Sequence, residues 1–206
     1  MTFRRLYATL EGVCRDFVLS RVSNDMKVLI ACELYGRVRD AFIARGHEAY
    51  SCDEYWSNGN HIHGNVLDVL DQGWDLMIAF PPCTHLCSSG AHKFHEKRSN
   101  GKQKEALDFV NKLLAAPIKK IAIENPVGII ATHIRKCDQL IEPWMFGHGV
   151  TKGTCLWLKN LPKLKPTNIV PGRFPEAHYV PGTKRQARLR GMTYPGIAKA
   201  MAEQWG

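Results

Sequence analysis

Short apolar runs alternate with stretches of helical periodicity along the middle of this chain. Four runs are continuous enough to predict buried strands, at 27–32 (KVLIAC), 47–53 (HEAYSCD), 75–80 (DLMIAF) and 119–125 (KKIAIEN). Apolar residues recur at the spacing of an amphipathic helix at 35–46 and 102–116, and Gly46 is placed to end the first of these helices. The pattern therefore predicts strands that alternate with helices.

This alternation predicts an α/β fold, with a mainly parallel sheet that is covered by helices on both faces. In such sheets, ligands bind beyond the carboxyl ends of the strands. Polar or reactive residues follow all four predicted strands: Glu33, Asp53, Pro82 with Cys83, and Glu124 with Asn125. We therefore expect these side chains to converge on one crevice.

The N-terminal residues precede the first predicted strand and follow a pattern of their own. Residues 3–22 place six apolar residues on one helical face, which predicts a helix. Met26 stands immediately before the first strand, as an initiator methionine would. We expect 1–25 to be a helical extension and 26–206 to be one compact domain.

Beyond residue 158 the regular pattern weakens. Residues 159–190 are rich in proline and basic side chains, which predicts a loop or a small recognition segment. The chain closes with YPGIAKAMAEQW, at 194–205, which predicts a helix with Pro195 in its first turn.

Composition narrows the class of protein further. A chain of 206 residues, 45% of them hydrophobic, suffices for one domain with a substantial core. No run reaches the roughly 18 apolar residues of a membrane span, and the N-terminus lacks an apolar signal region, so we expect a cytoplasmic protein. Seven cysteines without repeated spacing predict reduced thiols. The net charge of +9 favours a polyanionic partner, with nucleic acid first.

The stretch AFPPCTHLCSSG, at 79–90, contains the most reactive candidate, Cys83. Taken alone, this cysteine is compatible with a nucleophile, a metal ligand or an inert thiol at the edge of a core. The neighbouring cysteine and histidines match no standard zinc spacing, so we predict no metal site. A thiolate that adds to carbon 6 of a pyrimidine makes carbon 5 nucleophilic. Glu124 would then stabilise charge on ring nitrogen 3, and Asn125 would hold the exocyclic groups.

These two strand ends resemble the signature of the cytosine-5 DNA methyltransferases, in which a Pro-Cys pair follows one strand and a Glu-Asn pair follows a later one. AFPPCTHLCSSG and IAIENPVG, at 121–128, match that signature in order and context. Residues 29–53 look like the family's first cofactor-binding unit, GNVLDV at 64–69 like its adenine-contacting loop, and 194–205 like its C-terminal helix. The chain is most similar to the short forms found in bacteriophage and prophage genomes.

The resemblance implies a Rossmann-like, S-adenosylmethionine-dependent methyltransferase fold and methyl transfer to carbon 5 of cytosine in DNA through a covalent cysteine adduct. The implied catalytic residues are Cys83 as nucleophile, Glu124 as acid, and Asn125. The implied cofactor contacts are Glu33, Gly36, Asp53 for the ribose, Asn65 and Pro82. The predicted DNA contacts are Lys93, Lys97, Arg98, Lys152, Lys184, Arg185, Arg188 and Arg190. Residues 84–103 would act as a flap over a flipped base.

The chain departs from the family at several positions. Gly36 alone remains of the glycine-rich first loop, Asn65 replaces an aspartate, and Thr84 replaces a glutamine. Lys152 and Thr154 stand about where an arginine-rich motif is usual. The target-recognition domain is absent or reduced to about 30 residues, too few for an ordinary domain, which predicts low sequence specificity.

Three alternatives therefore stay open. The first is methylation of a free cytosine nucleotide, for which a large DNA-reading domain would be unnecessary. The second is methylation of an exocyclic amino group, because FPPC resembles the Asp-Pro-Pro-Tyr loop of such enzymes. The third is a catalytically silent descendant that keeps the fold to bind nucleic acid.

Overall fold

Seven strands form one sheet in the computed structural model, which describes residues 25–175 and 191–206. The strands are β1 (Lys27–Ala31), β2 (Glu48–Asp53), β3 (His61–His63), β4 (Leu76–Ala79), β5 (Lys120–Pro126), β6 (Gln139–Ile141) and β7 (Thr154–Lys159). Their order across the sheet is β3-β2-β1-β4-β5-β7-β6. Strands β1 to β5 pair in parallel, whereas β7 is antiparallel to both of its neighbours, β5 and β6.

Helices connect most of these strands. The α-helices in the described part of the chain are α1 (Arg37–Ile43), α2 (Phe94–Ser99), α3 (Lys102–Leu114), α4 (Ile130–His133) and α5 (Pro195–Trp205). Short 3-10 helices lie at Val66–Val69, Cys83–His85, Ser88–Lys93 and Pro143–Met145. None of the described helices is long and apolar enough to cross a membrane.

Apolar side chains form two separate buried clusters, one on each face of the sheet. On one face, Val38 and Phe42 of α1 and Trp205 of α5 pack against the sheet. On the other face, Val110 and Leu113 of α3 do so. Strand β4 is buried at every position because both of its faces are covered, which explains its continuous apolar sequence. The predicted α/β class, with a mainly parallel sheet and helices on both faces, is confirmed.

The elements predicted from hydrophobic patterning between residues 27 and 125, and the closing helix, are confirmed with shifts of at most three residues at an end. The pattern does not predict β3, β6 or β7. Strands β3 and β6 have three residues each, too few for a periodicity to emerge. The predicted helix at 3–22 and residues 176–190 of the basic segment lie outside the described residues.

The strand order reverses between β1 and β4. From this point the chain proceeds outwards through β2 to β3 on one side and through β5 on the other. In doubly wound sheets, ligands bind in the crevice at this reversal, outside the carboxyl ends of the strands. Because β7 is antiparallel, its first residue, Thr154, pairs with Pro126 at the carboxyl end of β5. The topology is compatible with a Rossmann-like fold.

Candidate active site

Cys83 lies in a turn beyond the carboxyl end of β4. Pro81 and Pro82 lead the chain away from the strand, because proline has no N–H for the sheet and has a fixed φ. Cys83 then opens a 3-10 helix, and its carbonyl oxygen accepts a hydrogen bond from the backbone N–H of Cys87 at 2.9 Å. The residue is exposed, so its thiol is accessible to a substrate.

Glu124 lies on β5, one residue beyond the last residue of β5 that pairs with β4. Its carboxyl group lines a small cavity together with Lys152, Thr154, Tyr194 and Ile197. Burial raises the pKa of Glu124, while the Lys152 ammonium and a hydrogen bond with the Thr154 side chain act in the opposite direction. A carboxyl group with a raised pKa retains its proton closer to neutral pH, as a general acid must.

The charges of Glu124 and Lys152 lie close enough to Cys83 to affect its ionisation. Although Cys83 is exposed, the surrounding protein limits the hydration of a thiolate and thereby raises its pKa. Cys87 and the negative charge of Glu124 raise it further, and Lys152 lowers it. The Lys152 Nζ atom also lies 5.9 Å from the ring centroid of Tyr194. A thiol, a carboxyl group and a cation thus lie together beside the adjacent strands β4, β5 and β7.

Asn125 is buried between these groups, with 1% of its surface exposed. Its Nδ2 donates a hydrogen bond to the carbonyl oxygen of Pro81 at 2.8 Å, which ties β5 to the segment leading into Cys83. Its Oδ1 is buried and accepts no hydrogen bond from any residue that the structure describes. In the structure, Asn125 therefore holds this segment against β5.

Glu33, predicted to contact a cofactor, caps helix α1. Its two carboxylate oxygens accept hydrogen bonds from the backbone N–H groups of Val38 at 2.7 Å and Arg39 at 3.2 Å. Burial raises the pKa of Glu33 to about 7, and these two hydrogen bonds oppose that rise. The carboxylate is engaged by the N-terminus of the helix, which attracts negative charge.

Gly36 is likewise explained by a contact within the protein. Its φ is 67°, and a Cβ at this position would lie 2.1 Å from Nη2 of Arg39. Arg39 is buried, and its Nη1 donates to Ser51 Oγ at 3.0 Å and to the carbonyl oxygen of Asn58 at 2.8 Å. The missing side chain of Gly36 thus makes room for a guanidinium group that ties α1 to β2. Sequence reasoning missed Arg39, because one arginine in an amphipathic helix normally faces solvent.

Asp53 is the last residue of β2 and lies at the carboxyl end of this strand. Its Oδ1 accepts a hydrogen bond from the backbone N–H of Tyr55 at 2.9 Å. Tyr55 and Trp56 are well exposed after this turn, and Tyr35, in the loop after β1, is also exposed. An acidic strand end flanked by exposed aromatic rings is suited to binding a ribose and a planar base.

The other two predicted cofactor residues lie in turns. Asn65 Oδ1 accepts a hydrogen bond from the backbone N–H of Leu67 at 3.0 Å and caps the 3-10 helix Val66–Val69. Pro82 is exposed and immediately precedes Cys83. Asn65 therefore has a local role as a cap, and Pro82 lies at the rim of the crevice.

The predicted flap, 84–103, forms the 3-10 helix Ser88–Lys93, helix α2 and the start of α3. Lys97 Nζ donates a hydrogen bond to the carbonyl oxygen of Thr84 at 2.5 Å, so this lysine anchors α2 to the residue after Cys83. Arg98 is exposed on α2. The predicted DNA contacts Lys184, Arg185, Arg188 and Arg190 lie outside the described residues.

Within 25–175 and 191–206, no group of three or more histidine, cysteine or acidic side chains is placed to hold a metal ion. The six cysteines of this part are free thiols, as the sequence predicts. No protein-family model matches the chain, and no curated protein matches it either.

Proposed function

We propose that this protein transfers a methyl group from S-adenosylmethionine to carbon 5 of cytosine in DNA, and that its domain has the Rossmann-like fold of methyltransferases that use this cofactor. One observation carries the proposal: adjacent parallel strands bring an exposed cysteine, Cys83, beside an acid with a raised pKa, Glu124. This is the pair of groups that attack at carbon 6 and charge stabilisation at nitrogen 3 require.

The residues of the site have distinct parts in this reaction. The Cys83 thiolate adds to carbon 6 of the base, and Glu124 donates its proton, or a hydrogen bond, to nitrogen 3 as negative charge develops there. The Lys152 cation lowers the pKa of Cys83 and so favours the thiolate. Carbon 5, made electron-rich, takes up the methyl group. Loss of the proton from carbon 5 to a base then breaks the carbon–sulfur bond and restores the thiolate.

S-adenosylmethionine, when bound, supplies the electrophilic methyl group. The residues after β1 and β2 fit this cofactor, because Asp53 offers a carboxylate for ribose hydroxyls, and the rings of Tyr35 and Trp56 are exposed in the loops that follow these two strands. Glu33 and Gly36 contribute indirectly, by shaping the start of α1.

DNA is the proposed substrate because of the strong positive charge of the chain and the basic residues near Cys83, namely Lys97, Arg98 and Lys152. The segment after β7 supports low sequence specificity. Up to residue 175 it folds back on the domain: the Arg173 guanidinium lies 3.9 Å from the Trp144 ring centroid, and Phe174 N–H donates to the Gly149 carbonyl oxygen at 2.9 Å. The same compactness favours a free cytosine nucleotide as the second candidate substrate.

The substrate is tested by incubating the protein with labelled S-adenosylmethionine and duplex DNA, single-stranded DNA or dCTP in parallel. Digestion and chromatography then identify the methylated base. We expect 5-methylcytosine from DNA. Label in N4-methylcytosine would instead establish amino-group methylation, label from dCTP alone would establish the nucleotide reaction, and cofactor or DNA binding without transfer would favour the silent descendant.

The covalent step predicts that DNA containing 5-fluorocytosine is trapped as a denaturation-resistant complex, because fluorine at carbon 5 cannot leave as a proton does. Cys83→Ser should abolish trapping, whereas Cys87→Ser, four residues away, should retain it. Gel mobility after heating in detergent measures the complex. A complex that persists without Cys83 would contradict the assigned nucleophile.

A further inference from the structure

The turn that carries Cys83 is joined to the segment after β5 by an antiparallel bridge between Cys87 and Gly128. Two backbone hydrogen bonds close this bridge, from Ser88 N–H to the Val127 carbonyl oxygen at 3.0 Å and from Ile129 N–H to the Leu86 carbonyl oxygen at 2.9 Å. Cys87 follows Cys83 by four residues, and Gly128 follows Glu124 by four residues. The bridge thus connects the nucleophile and the acid at equal distances along the chain.

Gly128 permits this bridge because it has no side chain. A Cβ at this position would lie 2.1 Å from the Leu86 carbonyl oxygen and 3.0 Å from the Cys87 Cα. Both are backbone atoms, so no side-chain rotation would relieve the overlap. Since carbon and oxygen ordinarily approach to about 3.3 Å, an alanine would separate the two segments by roughly 1 Å.

A second connection lies on the other side of the reactive pair. The Asn125 amide bonds to the Pro81 carbonyl oxygen just before Cys83, and the Gly128 bridge follows just after it. The Cys83 turn is therefore held against β5 at both of its ends. The geometry of the nucleophile relative to Glu124 depends on these two connections.

We propose that Gly128 is a positioning residue, which sets the separation of Cys83 and Glu124 by allowing the two backbone segments to pair in direct contact. This inference rests on the function proposed above. A displacement of about 1 Å between reacting groups costs about 100-fold in rate, and Gly128→Ala should lower kcat by about that factor. Cofactor affinity should remain close to that of the wild type, because Asp53 lies across the strand reversal from the bridge.

The matched control for this substitution is Val127→Ala. Val127 belongs to the same bridge through its backbone, but its side chain is 47% exposed, so its truncation leaves the pairing intact. A second variant disrupts the bridge at a different residue. Ile129→Pro removes the N–H that bonds to Leu86 at a residue whose φ, −73°, already suits proline, and Ile129→Val controls for the change of side chain. We expect a loss of kcat in Ile129→Pro as well as in Gly128→Ala, and near wild-type kcat in both controls.

A thiol measurement separates positioning from general loosening of the fold. The rate of Cys83 alkylation by iodoacetamide is followed against pH by mass spectrometry, without cofactor or DNA, for wild type, Gly128→Ala, Glu124→Gln and the double variant. If Gly128 holds Cys83 near Glu124, Gly128→Ala moves the thiol away from a negative charge and lowers its pKa. The same substitution should lower the pKa less in Glu124→Gln, which has already lost that charge. Equal shifts in the two backgrounds, or none, would overturn the proposal.

The two proposals fail in different ways. If wild-type protein transfers no methyl group to any substrate while the alkylation shifts remain unequal, the reaction is wrong and the positioning role of Gly128 stands. If wild-type protein is active and Gly128→Ala retains its kcat, the positioning role is wrong and the reaction stands. Thermal unfolding of each variant identifies loss of the fold. If Gly128→Ala is unfolded, the alkylation profile of Ile129→Pro tests the positioning role of the bridge instead.

Discussion

At the scale of single residues, the reactivity of Cys83 depends on two neighbours of opposite charge. Desolvation raises the pKa of this thiol, Glu124 raises it further and Lys152 lowers it. The same lysine also opposes the rise in the pKa of Glu124, so it favours the charged form of both groups. The cation therefore increases the share of thiolate and decreases the share of protonated acid at a given pH.

This arrangement predicts the pH dependence of methyl transfer. Methyl transfer needs the Cys83 thiolate and the protonated Glu124, so the single-turnover rate should rise with pH as Cys83 loses its proton and fall as Glu124 loses its own. Glu124→Gln should move this rise to lower pH, because it removes a negative charge, and should lower the maximal rate by about two to three orders of magnitude. Lys152→Met should move the rise to higher pH. Rates measured across about pH 6 to 10 test both shifts, and shifts in the same direction would contradict the assigned charges.

The candidate reactive residues can be identified in the sequence, whereas the residues that hold them in place cannot. Cys83 and Glu124 follow apolar runs that identify strand ends, and the order of their motifs suggests the chemistry. Gly128 and the Arg39 guanidinium over Gly36 depend on the approach of segments that are separate in the chain, which a local pattern does not encode. In the sequence, Gly128 is recognisable only as the glycine that ends the stretch ENPVG.

At the scale of secondary-structure elements, helix α1 depends on an acid with an unusual pKa. Glu33 caps this helix from a buried position at the carboxyl end of β1, and burial raises its pKa to about 7. The folded protein therefore binds a proton more tightly at Glu33 than the unfolded chain does, for which the ordinary value is 4.5. By linkage, the stability of the fold falls as pH rises from about 4.5 to about 7.

Replacement of Glu33 by glutamine should remove this component of the pH dependence. The shift corresponds to about 3 kcal/mol between the two ends of that range. Glutamine keeps one acceptor oxygen, so the variant should lose some stability at acidic pH and show a flatter profile above it. Urea unfolding at a series of pH values gives the comparison, with the exposed Glu48→Gln as control. A wild-type slope that persists in Glu33→Gln would show that other groups cause it.

Predictability also differed among the elements. Strands β1 and β4 are buried on both faces, and their uninterrupted apolar sequences identify them directly. Strand β7 also has an apolar sequence. Its antiparallel position between β5 and β6 depends on which strands pair with it, and hydrophobic periodicity does not identify those partners. That position brings Lys152 and Thr154 to Glu124.

At the scale of the whole molecule, the excess of positive charge is the feature that points to DNA. Basic side chains occur near both ends of the strands. Lys97, Arg98 and Lys152 lie towards the carboxyl ends of the strands, whereas Lys112 and Lys119 lie where the chain enters β5. If DNA binds over the crevice, only the first group contributes to affinity, together with the basic segment that the sequence predicts as a contact.

The last prediction concerns the salt dependence of DNA binding. Each phosphate contact releases bound counterions, so the slope of log affinity against log salt reports the number of contacts. Changing Lys184, Arg185, Arg188 and Arg190 to Ala should weaken binding and reduce the slope for duplex DNA by about 3 to 4 if all four contact phosphates. Fluorescence anisotropy of labelled DNA across a salt series measures both quantities.

The control is a variant that loses the same number of charges elsewhere. Arg45, Lys112, Lys119 and Lys136 are exposed and lie towards the amino ends of the strands, on the side of the sheet opposite the crevice. Their replacement by Ala changes the net charge equally, so it should lower affinity only through long-range attraction, which salt screens, and should leave most of the slope intact. Equal slopes for the two variants would exclude 184–190 as the contact surface and would mean that DNA responds only to the overall charge of the molecule.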